Sequence, residues 1–216
     1  NMVVLVIGGA GQLGQAIQYI AGQYPNIHFV FADVAEADIT NPLQLEQLFE
    51  KVKPNFCINA AAYTAVDKAE TESELAELVN VDGAMNLALI CQESNATLIH
   101  ISTDFVFDGN QSFPYSEHVA TNPQRIYGVT TREGEEAIKA ILSSHFIIRT
   151  SWLYSQFANN FMKTMLKLAS ERSELKVVND QKGTPTNAID LAHAIVKIML
   201  SGSKVYGTYH FSNEGE

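Results

Sequence analysis

Three glycines at positions 8, 11 and 14, in Gly8-Gly9-Ala10-Gly11-Gln12-Leu13-Gly14, form the first pattern with chemical content. They follow an apolar run and open a segment with helical periodicity. Such a turn needs a residue free to take dihedrals that side chains resist. A pyrophosphate lying across it needs the backbone to approach with no Cβ in the way. The helix must then pack close to the strand, with its first N–H groups facing the phosphates. The spacing therefore points to a dinucleotide. Asp33 ends the next apolar run, 19 residues after Gly14. Its carboxylate can accept hydrogen bonds from adenosine ribose hydroxyls. It would repel a 2′-phosphate, which leans towards NAD over NADP. Asp38 and Ile39 can meet adenine, by side chain and backbone respectively.

A second set of residues suits proton and hydride chemistry. Ile101-Ser102-Thr103-Asp104 stands at the end of another apolar run, and Tyr127 opens a helical segment after a long polar loop. In open α/β sheets the carboxyl ends of the strands line the ligand crevice. Hydroxyls there can polarise a carbonyl, and a tyrosine at a helix start can protonate the alkoxide left by hydride addition. The combination suits reduction of a ketone.

These groups have to be held by alternating strands and helices, and the chain reads that way. Strands are expected at Val3–Ile7, Ile27–Ala32, Asn55–Asn59, Ala96–Ser102 and Ser144–Arg149. Helices are expected at Gln12–Tyr24, Pro42–Val52 with Asn41 as N-cap, Glu72–Glu93 and Arg125–Leu142. The β-α-β-α rhythm predicts an α/β fold, a Rossmann-type doubly wound parallel sheet. Beyond Trp152 the rhythm loosens. A helix over Asn160–Glu171, a strand at Leu175–Val178, a helix over Asn187–Leu200 and a strand at Tyr206–Phe211 complete the reading.

Residues 1–150 are expected to form the dinucleotide-binding domain. Residues 151–216 then form a partial, apparently truncated C-terminal substrate lobe, some of whose segments return to the sheet. The last residues read as a strand followed by a loop, so the chain is expected to be a truncated piece.

Composition narrows the function classes. Of 216 residues, 46% are hydrophobic and 18% charged, which is globular composition. The formal charge of −10, without blocks of Lys or Arg, argues against nucleic acid as a partner. No apolar run reaches the ~18 residues of a membrane helix, and no secretory signal opens the chain. Cys57 and Cys91 lie in apolar segments and read as buried free thiols of a cytoplasmic protein.

Several blocks carry a resemblance. The glycine turn, the stretch Asn59-Ala60-Ala61-Ala62-Tyr63-Thr64-Ala65-Val66-Asp67-Lys68-Ala69-Glu70 and the stretch His100 to Gly109 resemble the extended short-chain dehydrogenase/reductases. Within them the chain is similar to the dTDP-4-dehydrorhamnose reductase family. Arg149-Thr150-Ser151-Trp152-Leu153-Tyr154, Asn159-Asn160-Phe161 and Asp180 to Thr186 extend the likeness over essentially the whole chain.

The resemblance implies NADPH- or NADH-dependent reduction of the C4 ketone of a dTDP-4-keto sugar, dTDP-4-dehydro-β-L-rhamnose. It implies that Gly8, Gly11, Gln12, Leu13 and Gly14 hold the pyrophosphate, with Asp33 on the ribose and Asp38 and Ile39 near adenine. Ala60, Ala61, Ala62 and Tyr63 would line the nicotinamide half. Thr103 would polarise the ketone and Tyr127 would donate the proton. Val66, Asp104, Phe105 and Trp152 would surround the sugar, and Asn160 would approach the nucleotide. The implied partner is the dTDP-sugar, with room for a homodimer and no nucleic acid or membrane.

The chain departs from the family at one catalytic position. The family pattern is Tyr-x-x-x-Lys, with the lysine on the ribose and lowering the tyrosine pKa; here Tyr127-Gly128-Val129-Thr130-Thr131 sets Thr131 in that place. A threonine can bond a ribose hydroxyl but carries no charge. A reference phenol titrates near ~10, so without a neighbouring cation it is the weaker acid. Arg132 lies about 140° round the helix from Tyr127, and Lys139 is three turns along.

Two alternatives therefore stay open. One is a non-enzymatic dinucleotide-binding regulatory subunit, and the other a reductase or epimerase of a different nucleotide sugar. The family's Mg2+, held in some members by a carboxylate just after the glycine turn, is not supported here, because that place is Gln15. The six histidines have no metal-ligand spacing. Arg149, at the end of a buried strand, is expected in a structural ion pair.

Overall fold

The first strand, β1 (Met2–Ile7), is a Val/Leu/Ile run whose alternate side chains enter two different cores. Leu5 and Ile7 point to one face of the sheet, Val4 and Val6 to the other, and all four are fully buried. A strand covered on both faces needs such a run. The protein is described by a computed structural model covering residues 1–61, 71–103, 126–150, 153–154 and 186–211.

Five further strands join β1: β2 (Ile27–Ala32), β3 (Phe56–Asn59), β4 (Thr97–Thr103), β5 (His145–Thr150) and β8 (Gly207–Phe211). Their order is β2-β1-β3-β4-β5-β8, and every pairing is parallel. The order reverses where β1 lies between β2 and β3, and the carboxyl ends of β1 and β3 open the crevice there. A separate pair, β6 (Leu153–Tyr154) with β7 (Thr186–Asn187), is also parallel.

Helices cover both faces. On one lie α1 (Gln12–Ile20) and α6 (Ala188–Ser201), whose Leu13, Ile17, Leu191 and Ile195 pack with Val4, Val6 and Ile99. On the other, α2 (Pro42–Val52), α4 (Gly83–Ser94) and α5 (Ile126–Ile141) pack Leu45, Phe49, Leu87 and Ile138 on Leu5, Cys57, Leu98 and Ile147. This is the doubly wound α/β fold expected from the alternating pattern. Asn41 caps α2 as expected, its Oδ1 accepting from the Gln44 N–H at 3.2 Å. Asn187 caps α6 in the same way.

Two helices differ from the sequence reading. The first stops at Ile20, and Ala21–Gln23 continue as a tighter 3-10 turn in place of a helix to Tyr24. The long helix expected over Glu72–Glu93 is divided: α3 (Ser73–Glu77) runs into a π-helical turn, Leu78–Asp82, before α4 begins. Such widened turns recur at functional sites, because they re-aim side chains without ending the helix. The helix expected at Asn160–Glu171 and the strand expected at Leu175–Val178 lie outside the described residues.

At the π-helical turn α5 approaches closely. A Cβ on Gly134 of α5 would sit 2.1 Å from the Asn80 carbonyl oxygen and 3.3 Å from the Ala84 Cβ. Only a glycine allows this approach, since any Cβ would require the backbone at Asn80 to shift. A Gly134→Ala substitution is expected to cost about 1–3 kcal/mol through overpacking and to lower Tm by about 2–12 °C. Thermal unfolding followed by circular dichroism checks this; an unchanged Tm would mean the helices are not pressed together here.

Candidate functional site

At the carboxyl end of β1 the chain enters the glycine turn. Gly8 has φ +85°, and its N–H donates to the Ala32 carbonyl at 2.9 Å. A Cβ on Gly8 would lie 2.7–2.8 Å from backbone atoms of Ala60 and Ala61, and one on Gly14 2.4 Å from the Gly8 carbonyl oxygen. These two glycines therefore press the turn against the end of β3 and the helix against the turn. Gly11 is the N-cap of α1, no side chain caps it, and the first turn holds no acidic residue. Gln15 and Gln18 donate from Nε2 to the carbonyls of Ala10 and Gly9, fastening the turn from inside the helix. Gln12 follows the cap directly, and Leu13 is buried beneath it. A backbone cradle closed to Cβ atoms, at an uncapped helix start, fits a dinucleotide pyrophosphate. Gln15 supplies a carboxamide whose Nε2 is engaged within the turn.

Further along the crevice, Asp33 is exposed at the end of β2, and its N–H donates to Glu36 at 3.0 Å. Its position suits a ribose. Asp38 turns its carboxylate onto its own loop, where it accepts from the Thr40 N–H at 2.9 Å and hydroxyl at 2.6 Å. Ile39 sends its side chain into the core, and its carbonyl accepts from the Asn86 amide at 2.9 Å.

The chemical end of the crevice is a cavity of about 100 Å3 beside the ends of β3 and β4. Ala60, Ala61, Ser102, Tyr127 and Thr131 line it, together with Asn80 and His100. Tyr127 and Thr131 lie one helical turn apart on α5, each 9% exposed. The Thr131 hydroxyl donates to the Tyr127 carbonyl at 2.7 Å, so it serves its own helix and leaves only lone pairs towards the cavity. Arg132 is not among the lining residues. Lys139 meets Glu136 at 3.5 Å on the outer surface. Thr103 ends β4 paired with Thr150, within the described backbone. Ala62, Tyr63, Val66, Asp104, Phe105, Trp152 and Asn160 lie outside the described residues.

Beneath the cavity the sheet changes character. On the face towards α4 and α5, the apolar residues Cys57, Leu98 and Ile147 give way to Asn59, His100, Ser102 and Arg149. Asn59 links two of these levels. Its Oδ1 accepts from the Ala61 N–H at 3.1 Å, and its amide lies 3.0 Å from the His100 Nδ1. That amide is a donor, so Nδ1 accepts and the proton of neutral His100 sits on Nε2. Glu135, two turns after Tyr127 on α5, is fully buried. Its carboxylate accepts from the Ser102 hydroxyl at 2.5 Å and from Arg149, with Nη2–Oε1 at 2.7 Å and Nε 3.2 Å from each oxygen. The ion pair expected at Arg149 is this one. The sequence reading singled out neither Asn80 nor Glu135. The four-residue spacing of Tyr127, Thr131 and Glu135 was the available signal for the second. Asn80 has none, because its direction depends on the π-helical turn.

The chain matches the family model described as the RmlD substrate binding domain over residues 2–216. The dTDP-4-dehydrorhamnose reductase of Escherichia coli strain K12 is 41% identical, over 99% of this chain and 73% of that protein. The crystal structure of a dTDP-4-dehydrorhamnose reductase from Clostridium acetobutylicum is 44% identical, with a TM-score of 0.93, covering 99% of this chain and 75% of that one. Another from Bacillus anthracis, in complex with NADP, is 41% identical, with a TM-score of 0.92 over 100% and 76% of the two chains.

Burial holds His100 well below the ordinary imidazole range, down to about 4; the Glu135 carboxylate pulls it back up in part, and His145 pushes it further down. An unfolded histidine titrates near ~6.5. Between the two values the unfolded chain takes up a proton that the folded one refuses. The stability due to neutral His100 is therefore complete above ~6.5 and is lost as the pH falls towards 4. A His100→Gln variant is expected to be less stable at neutral pH but to lose this part of the slope. Urea midpoints for both proteins between pH 7 and 4 test it, and a gap that stays constant across the range would rule it out.

Proposed function

We infer the function from one premise: the chain belongs to the RmlD substrate binding domain family. It is an oxidoreductase that uses NAD(P)H to reduce the C4 ketone of dTDP-4-dehydro-β-L-rhamnose to the alcohol of dTDP-L-rhamnose. The observation that carries this reading is the junction at Gly8. A Cβ there would collide with the backbone of Ala60 and Ala61, which line the cavity holding Tyr127. A dinucleotide with its pyrophosphate on the glycine turn would thus reach the phenol with its other end.

Each residue has a chemical part in this reading. Gly8, Gly11, Gln12, Leu13 and Gly14 hold the pyrophosphate through backbone approach and N–H groups. Asp33 takes the adenosine ribose, and Ala60 and Ala61 form the floor under the nicotinamide ribose. Bound nicotinamide supplies the hydride. Thr103 polarises the sugar carbonyl, and Tyr127 delivers the proton to the resulting alkoxide. Residues 1–150 would be the dinucleotide domain and 151–216 the substrate lobe, with α6 and β8 of the latter returned to the dinucleotide domain's sheet. The reading also sets the protein in the cytoplasm with a dTDP-sugar as its partner, and a homodimer is compatible with it. No helix among the described residues is long and apolar enough to cross a membrane.

One observation favours a second reading. Thr131 brings no cation to the phenol, and a dinucleotide-binding regulatory subunit would tolerate that. Oxidation of NADPH and NADH by the protein with the dTDP-4-keto sugar separates the two, with cofactor binding measured by calorimetry. Turnover is expected, falling by about 10²–10⁴-fold in Tyr127→Phe. Thr131→Lys is expected to raise kcat near neutral pH by about tenfold, a gain of ~1.4 kcal/mol in the barrier. Cofactor binding without turnover in wild type would overturn the enzyme reading.

A further inference from the structure

We propose that Glu135 is a positioning residue for the proton transfer, locking the face of α5 that carries Tyr127 to the ends of β4 and β5. The proposal rests on the reductase reading for the identity of the reacting groups. Its geometry is independent of that reading.

Tyr127, Thr131 and Glu135 recur every four residues, which aligns them along one side of a helix. All three are buried. Tyr127 and Thr131 line the cavity, and Glu135 reaches past them into the polar layer below. An ionised carboxylate only accepts hydrogen bonds. Here it receives donors from two neighbouring strands at once: the Ser102 hydroxyl from β4 and the Arg149 fork from β5. Ser102 and Arg149 are direct partners in the β4–β5 register, so the carboxylate spans a single rung of the sheet. The next rung is Thr103 with Thr150. The strand residue meant to polarise the ketone is therefore one position from the Glu135 anchor.

A buried ion pair is a poor device for stability alone, since apolar residues of similar size usually do as well. It is a good device for register. Sliding α5 by one residue, a rise of ~1.5 Å, would break the directional contacts of three donor atoms to a buried charge. Displacements of about 1 Å between reacting groups already cost large factors in rate. With His100 neutral, none of the described residues lining the cavity carries a charge. The direction of the phenol therefore depends on the placement of its helix. Glu135 touches neither substrate nor cofactor in this account; it acts through α5.

Three variants of the full chain test the proposal. Ser102→Ala keeps the ion pair and removes the tie to β4, and Ser102→Thr restores a hydroxyl. Glu135→Gln combined with Arg149→Met removes both charges together, because Glu135→Gln alone would leave a buried guanidinium without a counter-charge. Ser102→Ala and the double variant are expected to lose about tenfold or more in kcat well below their unfolding temperatures. KM and Kd for NADPH should stay within about twofold of wild type, and Ser102→Thr should recover most of the loss. A second readout does not depend on turnover. In protein grown with 3-fluorotyrosine, the Tyr127 fluorine resonance, assigned by its loss in Tyr127→Phe, is expected to shift or broaden in the same variants. Lower Tm with wild-type kcat and an unchanged resonance would overturn the proposal, leaving Glu135 a stabilising residue only. Failure of the wild type to reduce the keto sugar would instead overturn the reductase reading. The fluorine resonance would still decide whether Glu135 positions Tyr127.

Discussion

A carboxylate with no exposed surface has to be repaid for its lost water, and Glu135 is repaid by exactly the atoms that join the site to the sheet. Arg149 offers two nitrogens and Ser102 one hydroxyl, and both side chains stand at the carboxyl ends of the two strands beside the cavity. Below this level the same sheet face is apolar, with Leu98 and Ile147 against Ile138 of the same helix. The helix therefore has two kinds of attachment. The apolar part supplies affinity for the sheet but selects a register only weakly, because apolar burial is non-directional. The polar part specifies where the helix stops, because hydrogen bonds to a charge are directional.

The glycines perform the matching task on the cofactor side. Gly8 and Gly14 let backbone meet backbone where side chains would hold the elements apart. Gly134 does the same between α5 and the π-helical turn. At each of these places the missing Cβ converts a general packing of helix on sheet into one fixed approach. Asn80 shows the consequence, since its widened turn turns the side chain towards Thr130 and the cavity, with its amide donating to the Thr130 hydroxyl at 3.2 Å. The site is thus assembled from contacts that allow little adjustment, which suits chemistry dependent on short distances.

Much of this framework was legible in the sequence because its signals are local. A Val/Leu/Ile run followed by glycines at intervals of three announces a strand, a turn and a helix without reference to any other part of the chain. Asn41 before Pro42 announces a helix start in the same way, and the cap is present. The boundaries of β5 and α5 agree with the sequence reading to within a residue or two. What the sequence did not reveal depends on distant partners. Asn59 and His100 are 41 residues apart, and neither residue type implies that they share a hydrogen bond. Asp38 can turn outward to a ligand or inward to Thr40, and only the folded loop decides for the inward bond. The π-helical turn has no composition of its own, so the long helix read as continuous.

Thr131 joins these two kinds of information. Its identity is local, and it says that this position of the helix brings no cation to the phenol. Its hydrogen bond to the Tyr127 carbonyl adds that its hydroxyl proton is spent on the helix. A tyrosine that must give up a proton can be helped in two ways: by a charge that favours the phenolate, or by an acceptor held where the proton is to go. The first is missing from this helix face. The second depends only on placement, and placement is what Glu135, Gly134 and the polar ends of β4 and β5 control. A site that relies on placement should tolerate a lost charge better than a lost anchor, and that order separates it from a site built around its cation.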